Sequence, residues 1–151
     1  ANKAKHIPGN FTWLHTLDSL KLADRLERKC MALEAKLNVL VQVNISNDPD
    51  KHGLPARRIF DFIEQLLTAG HTRLTLRGLM TIGQHDASPA ERLREFAAMR
   101  ELSIACSARF GESCFRELSM GMSSDFELAI REGASIVRVG SAIFGPRPQP
   151  D

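Results

Sequence analysis

Five short, mostly apolar runs alternate along the chain with four longer segments whose apolar residues follow helical spacing. The runs occupy residues 12–17, 38–44, 74–80, 115–120 and 135–139. This alternation predicts parallel strands joined by right-handed helical crossovers, since parallel neighbours cannot be joined by tight turns. The run at 38–44 is nearly continuous in valine and leucine, which is typical of a strand covered on both faces. Five strands suit an open doubly wound sheet, whereas an eight-stranded barrel needs three more.

Capping and stop signals predict where the helices begin and end. The expected helices run from Asp18 or Ser19 to about Leu37, from Pro55 to just before Gly70, from Ser88 to Gly111, and from Ser123 or Ser124 to about Glu132. Ser88 and Glu91 have the spacing of a capping box, with Pro89 at the first helical position. Ser124 and Glu127 repeat that spacing before the last of these helices. Gly133 then suits a left-handed stop.

The last third of the chain, residues 115–145, carries the pattern most suggestive of a binding site. Two strands each end in a serine- and glycine-rich turn that leads into a helix start, and exposed N–H groups at helix starts bind anions. Arg138 interrupts an otherwise apolar strand, and a buried arginine is costly unless an anion or a hydrogen-bond acceptor meets it. The alternative is that Arg138 reaches solvent at the sheet end and that the turns are ordinary loops.

Composition excludes several classes of protein. The 151 residues suffice for one domain, and no linker or repeat marks a second. A net charge of +2 with scattered basic residues indicates no nucleic-acid partner, and no apolar run is long enough for a membrane helix. Cys30, Cys106 and Cys114 lack metal-binding spacing. They are expected to be small buried hydrophobic residues in a reducing, cytoplasmic compartment.

The histidines and loop carboxylates predict neither a metal site nor a hydrolase. His15 falls within a strand and is expected to be a satisfied core group, while the sequence places no metal-ligand partners around His52, His71 or His85. Ser123 lies in no nucleophile-elbow pattern. Glycine-rich nucleotide motifs are absent from the sequence.

The segment LSMGMSSDFELAIREGASIVRVGSAIFG resembles the signature of the pyridoxal-phosphate homeostasis proteins, whose fold is like the N-terminal barrel of alanine racemase. WLHTLDS, LVQVNISND followed by KHG, and LRGLMTIG fit the same family in the same order. The resemblance implies an α/β fold that is part of a (β/α)8 TIM-type barrel, with this chain forming its last five strands in a single incomplete domain. It also implies cytoplasmic carriage of pyridoxal 5'-phosphate without catalysis.

The same resemblance assigns the cofactor-binding residues, which are Ser119, Met122, Ser123, Arg138, Gly140 and Ser141. Ser123 and the backbone around Met122 are expected to hold the phosphate, and the amides of Gly140 and Ser141 to close its other side. Arg138 matches the family arginine that faces the pyridine nitrogen. Ser119 is expected either to hydrogen-bond Arg138 or to be a small core residue.

The family lysine that forms a Schiff base with the cofactor ends the first strand of the barrel, and no lysine here matches it. The six lysines are Lys3, Lys5, Lys21, Lys29, Lys36 and Lys51. Lys51 is the least unsuitable, yet its KHG context corresponds to a different family motif. We therefore expect no covalent cofactor site in this chain.

Two other functions compete with the carrier. A racemase-like or other phosphate-ligand enzyme can use the same phosphate cup, although the chain contains no tyrosine to serve as the racemase base. The third possibility is a scaffold with a vestigial anion site. An open five-stranded arc also has two free edges, which predicts self-association or pairing with the absent N-terminal segment.

Overall fold

The computed structural model describes residues 6–49, 51–84 and 86–145. Lys3, Lys5, Asp50 and His85 lie outside the described residues. The strands are β1 (Trp13–Leu17), β2 (Leu37–Asn44), β3 (Leu54–Pro55), β4 (Leu74–Thr81), β5 (Glu117–Met122) and β6 (Ile136–Arg138). The helices are α1 (Leu20–Ala32), α2 (Ile59–Thr68), α3 (Pro89–Phe110), α4 (Phe126–Arg131) and α5 (Ser141–Phe144).

The strands form one parallel sheet in the order β1-β2-β4-β5-β6, and the two-residue β3 pairs with β2 beyond this path. Each long crossover contains a helix, as the alternating sequence pattern predicts. The architecture is an α/β half-barrel of five main parallel strands. The predicted α/β fold, a partial barrel of five parallel strands, is therefore confirmed.

A contact across the concave face shows how strongly the sheet curves. The ring nitrogen Nδ1 of His15 on β1 lies 3.1 Å from the hydroxyl of Ser119 on β5. Because β2 and β4 separate these strands, a flat sheet would hold them roughly 14 Å apart at about 4.8 Å per strand. Curvature therefore brings polar groups of distant strands together inside the half-barrel.

The hydrophobic core lies between the sheet and its helices. Alternate residues of β2 (Leu37, Val39, Val41 and Val43) pack there with the buried faces of α1 and α2. Cys30 and Cys106 are buried as predicted, whereas Cys114 is only half-buried. Within the described part of the chain, no helix has the length and apolarity to cross a membrane.

The predicted end of the first helix and the predicted start of the second were wrong. The first helix does not reach Leu37, because Glu34 takes a left-handed backbone (φ 51°) and Leu37 begins β2. Pro55 does not start the second helix, since it is extended and pairs with β2 through Asn44. A 3₁₀ turn follows, and α2 begins only at Ile59. In each case a parallel strand pairing takes residues that local propensity assigns to a helix.

The start of α3 agrees with the sequence. Ser88 accepts a hydrogen bond from the Glu91 amide, and the Glu91 carboxylate accepts one from the Ser88 amide, with Pro89 in the first turn. The fourth strand lies two residues later than expected, because a 3₁₀ turn at Glu112–Cys114 delays β5 to Glu117. Met122 therefore ends a strand.

We expect the open edges of the sheet to cause self-association. In the described residues β1 pairs only with β2 among the strands, and β6 only with β5. A groove of about 660 Å³ beside β1 is lined by both apolar and polar residues, among them Leu14, Leu22 and the exposed Thr16. Sedimentation velocity should show a dimer or larger species that grows with protein concentration. A folded monomer that persists in concentrated solution would contradict this prediction.

A matched pair of variants tests whether the β1 edge is responsible. Thr16→Lys places a charge on that edge and should weaken self-association, since edge lysines oppose strand pairing. Thr75→Lys, at an exposed position of the central strand β4, should not.

Gly121 is expected to tolerate no side chain. Gly121 and Gly133 both have a left-handed φ, at 90° and 88°. A Cβ at Gly121 would lie 2.6 Å from the Cβ of Ala129 on α4, whereas one at Gly133 meets nothing within 4 Å. Gly133→Ala should cost about 1–2 kcal/mol for its backbone conformation alone. Gly121→Ala should cost about 1–3 kcal/mol more, measured as the free energy of unfolding in urea, and equal costs would refute the steric argument.

Candidate functional site

The carboxyl ends of β4, β5 and β6 meet at one rim of the half-barrel, because all the strands are parallel. Met122 at the end of β5 pairs with Arg138 at the end of β6. Thr81 ends β4 next to them. Ligand sites of parallel α/β folds form at such carboxyl ends, so this rim is the candidate site.

Arg138 is fixed on the inner side of this rim by two acceptors. Its Nη1 donates to the hydroxyl of Ser119 at 2.7 Å, and its Nη2 donates to the carbonyl of Thr81 at 2.8 Å. Burial lowers the pKa of Arg138 from its ordinary value, and the charge of Asp125 partly opposes that shift. The predicted contact between Ser119 and Arg138 is confirmed, and Ser119 is fully buried.

Ser123 joins the two turns that follow β5 and β6. Its hydroxyl oxygen accepts hydrogen bonds from the amides of Gly140 at 3.1 Å and Ala142 at 3.3 Å. Since a serine hydroxyl can accept two hydrogen bonds and donate one, its proton remains available to a ligand. A Cβ on Gly140 would meet nothing within 4 Å, so open space lies beside this junction.

The expected capping box of Ser124 and Glu127 was wrong. The residue that precedes α4 is Asp125, and its side chain makes no cap bond to the helix. One carboxylate oxygen instead accepts the amide of Met122 at 2.7 Å, and the other pairs with Arg92 of α3. The buried Asp125 thereby closes the turn around Ser123 and ties it to the helix layer.

Lys51 reaches the same rim from the loop after β2. Its Nζ donates to the carbonyl of Gly83 at 2.7 Å, two residues beyond the Thr81 carbonyl that binds Arg138. Asn44 holds this loop, because its side-chain amide donates to the carbonyls of Asp48 and Lys51 and its oxygen accepts from the Asp48 amide.

The described histidines do not form a metal site elsewhere in the structure. Among the described residues, no three His, Cys, Asp or Glu side chains are grouped so as to hold a metal ion. His71 pairs with Asp24 at the opposite end of the strands, 3.0 Å apart. The groove beside β1 contains none of the predicted cofactor-binding residues.

Residues 4–148 match the model of the family described as alanine racemase, N-terminal domain. The chain belongs to this family. It is 38% identical over 147 residues to the pyridoxal phosphate homeostasis protein of Vibrio alginolyticus, and 40% identical over 152 residues to that of Pseudomonas aeruginosa. Each alignment covers 97% of this chain and 61% of the relative. The resemblance drawn from the motifs is thus confirmed.

Solved structures agree with this placement. The chain is similar to PipY of Synechococcus elongatus PCC7942, a structure with PLP bound, at a TM-score of 0.86 and 35% identity. The match covers 95% of this chain and 66% of PipY. The chain therefore spans about two thirds or less of these relatives, so the activity of the whole proteins does not transfer to it directly.

The structure brings together the six residues that the family resemblance implicates. Ser119 and Arg138 touch on the inner face, Met122 pairs with Arg138 in the sheet, and Ser123 binds the amide of Gly140 beside Ser141. Their role as cofactor ligands remains a prediction.

Sequence reasoning missed three residues that complete the arrangement. Thr81 contributes only a backbone carbonyl, which no side-chain pattern can reveal. His15 was expected to be a satisfied core group, and its partner is the site residue Ser119. Asp125 follows two serines and directly precedes α4, so the sequence did contain a helix-cap residue there, but the cap was assigned to Ser124.

We expect Asp125→Ala to destabilise the fold strongly. Asp125 is buried and Arg92 is half-buried, and the substitution removes both this ion pair and the hydrogen bond from the Met122 amide, at a cost of about 3–5 kcal/mol. Glu64→Ala is the control, because the pair of Glu64 with Arg109 is exposed on both sides and should be worth less than about 1 kcal/mol. Urea unfolding measures both, and similar losses would contradict the structural role of Asp125.

Proposed function

We propose that this chain is part of a single barrel domain that binds pyridoxal 5'-phosphate reversibly and releases it, without catalysing a reaction of its own. The observation that carries the proposal is that an anion-binding pair of turns and a fixed guanidinium lie side by side on one rim. The hydroxyl of Ser123 bridges the turns after β5 and β6, and the guanidinium of Arg138 is held beside them. Family membership and the PLP-bound structure of PipY support it.

The turns after β5 and β6 fit the phosphate end of the cofactor. Among the described residues, the Ser123 hydroxyl only accepts hydrogen bonds, so its proton can be donated to a ligand. Gly140 leaves space beside it for a bulky anion. Ser141 follows Gly140 and extends the same backbone. Met122 shapes the turn, since its own amide is engaged by Asp125. A phosphate held there receives neutral hydrogen bonds of about 1 kcal/mol each.

Arg138 fits the ring-nitrogen end. A guanidinium carries five N–H groups and no acceptor, so two bonds to the protein fix its plane and leave donors for a ligand. When bound, pyridoxal phosphate supplies an electron-accepting ring. Arg138 can only donate to the ring nitrogen, which favours its unprotonated form and weakens that electron sink. This suits carriage of the cofactor better than racemisation.

Binding is expected to be weak and non-covalent. A few such contacts, reduced by the cost of immobilising the ligand, leave roughly micromolar to millimolar affinity. Covalent attachment would require a lysine at the site. Among the lysines that the structure describes, Lys51 has its amine bonded at this rim, where it donates to the Gly83 carbonyl.

We predict that pyridoxal phosphate changes its absorption spectrum on titration with the chain, and that two substitutions weaken the effect. Ser123→Ala should lower affinity about fivefold, and Arg138→Ala about tenfold or more, because the second loses charge-assisted bonds. Their matched controls are Ser124→Ala and Arg131→Ala, both exposed residues of the same types nearby. Equal effects of control and test variants would refute this site.

Reduction with borohydride in the presence of pyridoxal phosphate should leave no lysine stably labelled. Peptide mass spectrometry after reduction is the measurement, with Lys51 inspected first. Specific labelling of Lys51 that is lost in Lys51→Arg would overturn the non-covalent account while leaving binding itself intact.

A further inference from the structure

His15 on β1 is linked to the candidate site by hydrogen bonds that run through Ser119 on β5 to Arg138 on β6. Its Nδ1 lies 3.1 Å from the buried hydroxyl of Ser119, which also accepts from Arg138 at 2.7 Å. The imidazole is half-buried, and the ring of Trp13 meets it edge-on with centroids 6.0 Å apart. The contact crosses the concave interior of the half-barrel.

Chemistry fixes the direction of the bond between Arg138 and Ser119, and the tautomer of His15 sets the direction of the other. Arg138 has no acceptor, so Ser119 must accept from it. The Ser119 proton is then free to be donated to Nδ1 of His15, which places the proton of a neutral imidazole on Nε2. If Nδ1 were protonated, Ser119 would accept from both sides and its own proton would lose the acceptor it has here.

We propose that His15 is a positioning residue, which orients the guanidinium of Arg138 through the hydroxyl of Ser119 and keeps the ring-nitrogen end of the site complete only while the imidazole is neutral. The inference rests on the proposed function and assigns a pH dependence to the same site. Protonation of His15 reverses the bond to Ser119 and adds a second positive charge beside Arg138. Both effects loosen the hold on the guanidinium.

The charged groups around the cluster favour neutral His15. Burial, and then the positive charge of Arg138, lower the pKa of His15 from its ordinary value of 6.5. Arg77 of β4 lies 6.0 Å from the Trp13 ring, which adds another cation on that side. Asp125 acts on Arg138 from the helix side of the rim. Affinity that needs the neutral form is therefore present at neutral pH and is lost as the pH falls through this lowered pKa.

Nitrogen-15 NMR of the imidazole tests the arrangement without any ligand. At pH 7.5 the native chain should show an unprotonated Nδ1 and a protonated Nε2, and the pKa of His15 should lie below 6.5. In Ser119→Ala the fraction of this tautomer should fall toward that of a free histidine. A protonated Nδ1 in the native chain, or a spectrum that Ser119→Ala leaves unchanged, would overturn the proposal.

Titration with pyridoxal phosphate between pH 5 and 8 tests the consequence. His15→Ala should bind about fivefold more weakly at pH 7.5, the loss expected for one hydrogen bond, with its circular dichroism unchanged. His15→Asn, whose amide oxygen can accept from Ser119 but does not titrate here, should bind like the native chain at pH 7.5. The cofactor's own ionisations affect all variants alike, so the ratio of native to His15→Asn affinity should fall only at acid pH.

Inorganic phosphate separates the two ends of the site. It needs the turns around Ser123 and Gly140 alone, so His15→Ala should bind it as well as the native chain does. The role of His15 would be refuted if the ratio of native to His15→Asn affinity did not change between pH 5 and 8. It would also be refuted if His15→Ala bound pyridoxal phosphate with native affinity. A native chain that binds no pyridoxal phosphate would refute the proposed function instead, and the NMR measurement would then decide the role of His15 alone.

Discussion

Parallel pairing of all the main strands is the constraint on which the rest of this structure depends. It directs the carboxyl ends of β4, β5 and β6 to one rim, so that three turns distant in sequence share a surface. It also requires a long crossover between successive strands, and the helices in those crossovers cover the outer face. The inner face carries His15, Ser119 and Arg138, whose side chains meet because the sheet curves.

The polar interior is organised around hydrogen-bond acceptors for Arg138. A part-buried guanidinium has to find acceptors, and here a fully buried hydroxyl and a main-chain carbonyl supply them. Both acceptors come from neighbouring strands of the same sheet. The position of Arg138 therefore follows from the register of β4, β5 and β6 and does not depend on loop conformation.

The turn after β5 shows how the same short sequence can satisfy competing requirements. A serine and a glutamate at capping-box spacing predicted a local helix cap, but Asp125 takes the buried position and binds both backbone and Arg92. A buried carboxylate is stabilised by a cationic partner, and Arg92 of α3 supplies one to Asp125. A local helix cap would supply only backbone amides. Ser123 is thereby directed toward the amides of the neighbouring turn.

By itself, the sequence determined the order of strands and helices, the parallel sheet, the capping box at Ser88 and the family, because hydrophobic period, caps and motifs are local properties of the chain. It also singled out Arg138, Ser123 and Gly140, although only through the family motif and the turn chemistry. Tertiary structure alone decided that Leu37 and Pro55 join strands, that Asp125 closes the turn, and that His15 reaches Ser119. Each of these depends on a partner far along the chain, placed by strand register and sheet curvature, and neither quantity can be read from a local window of residues.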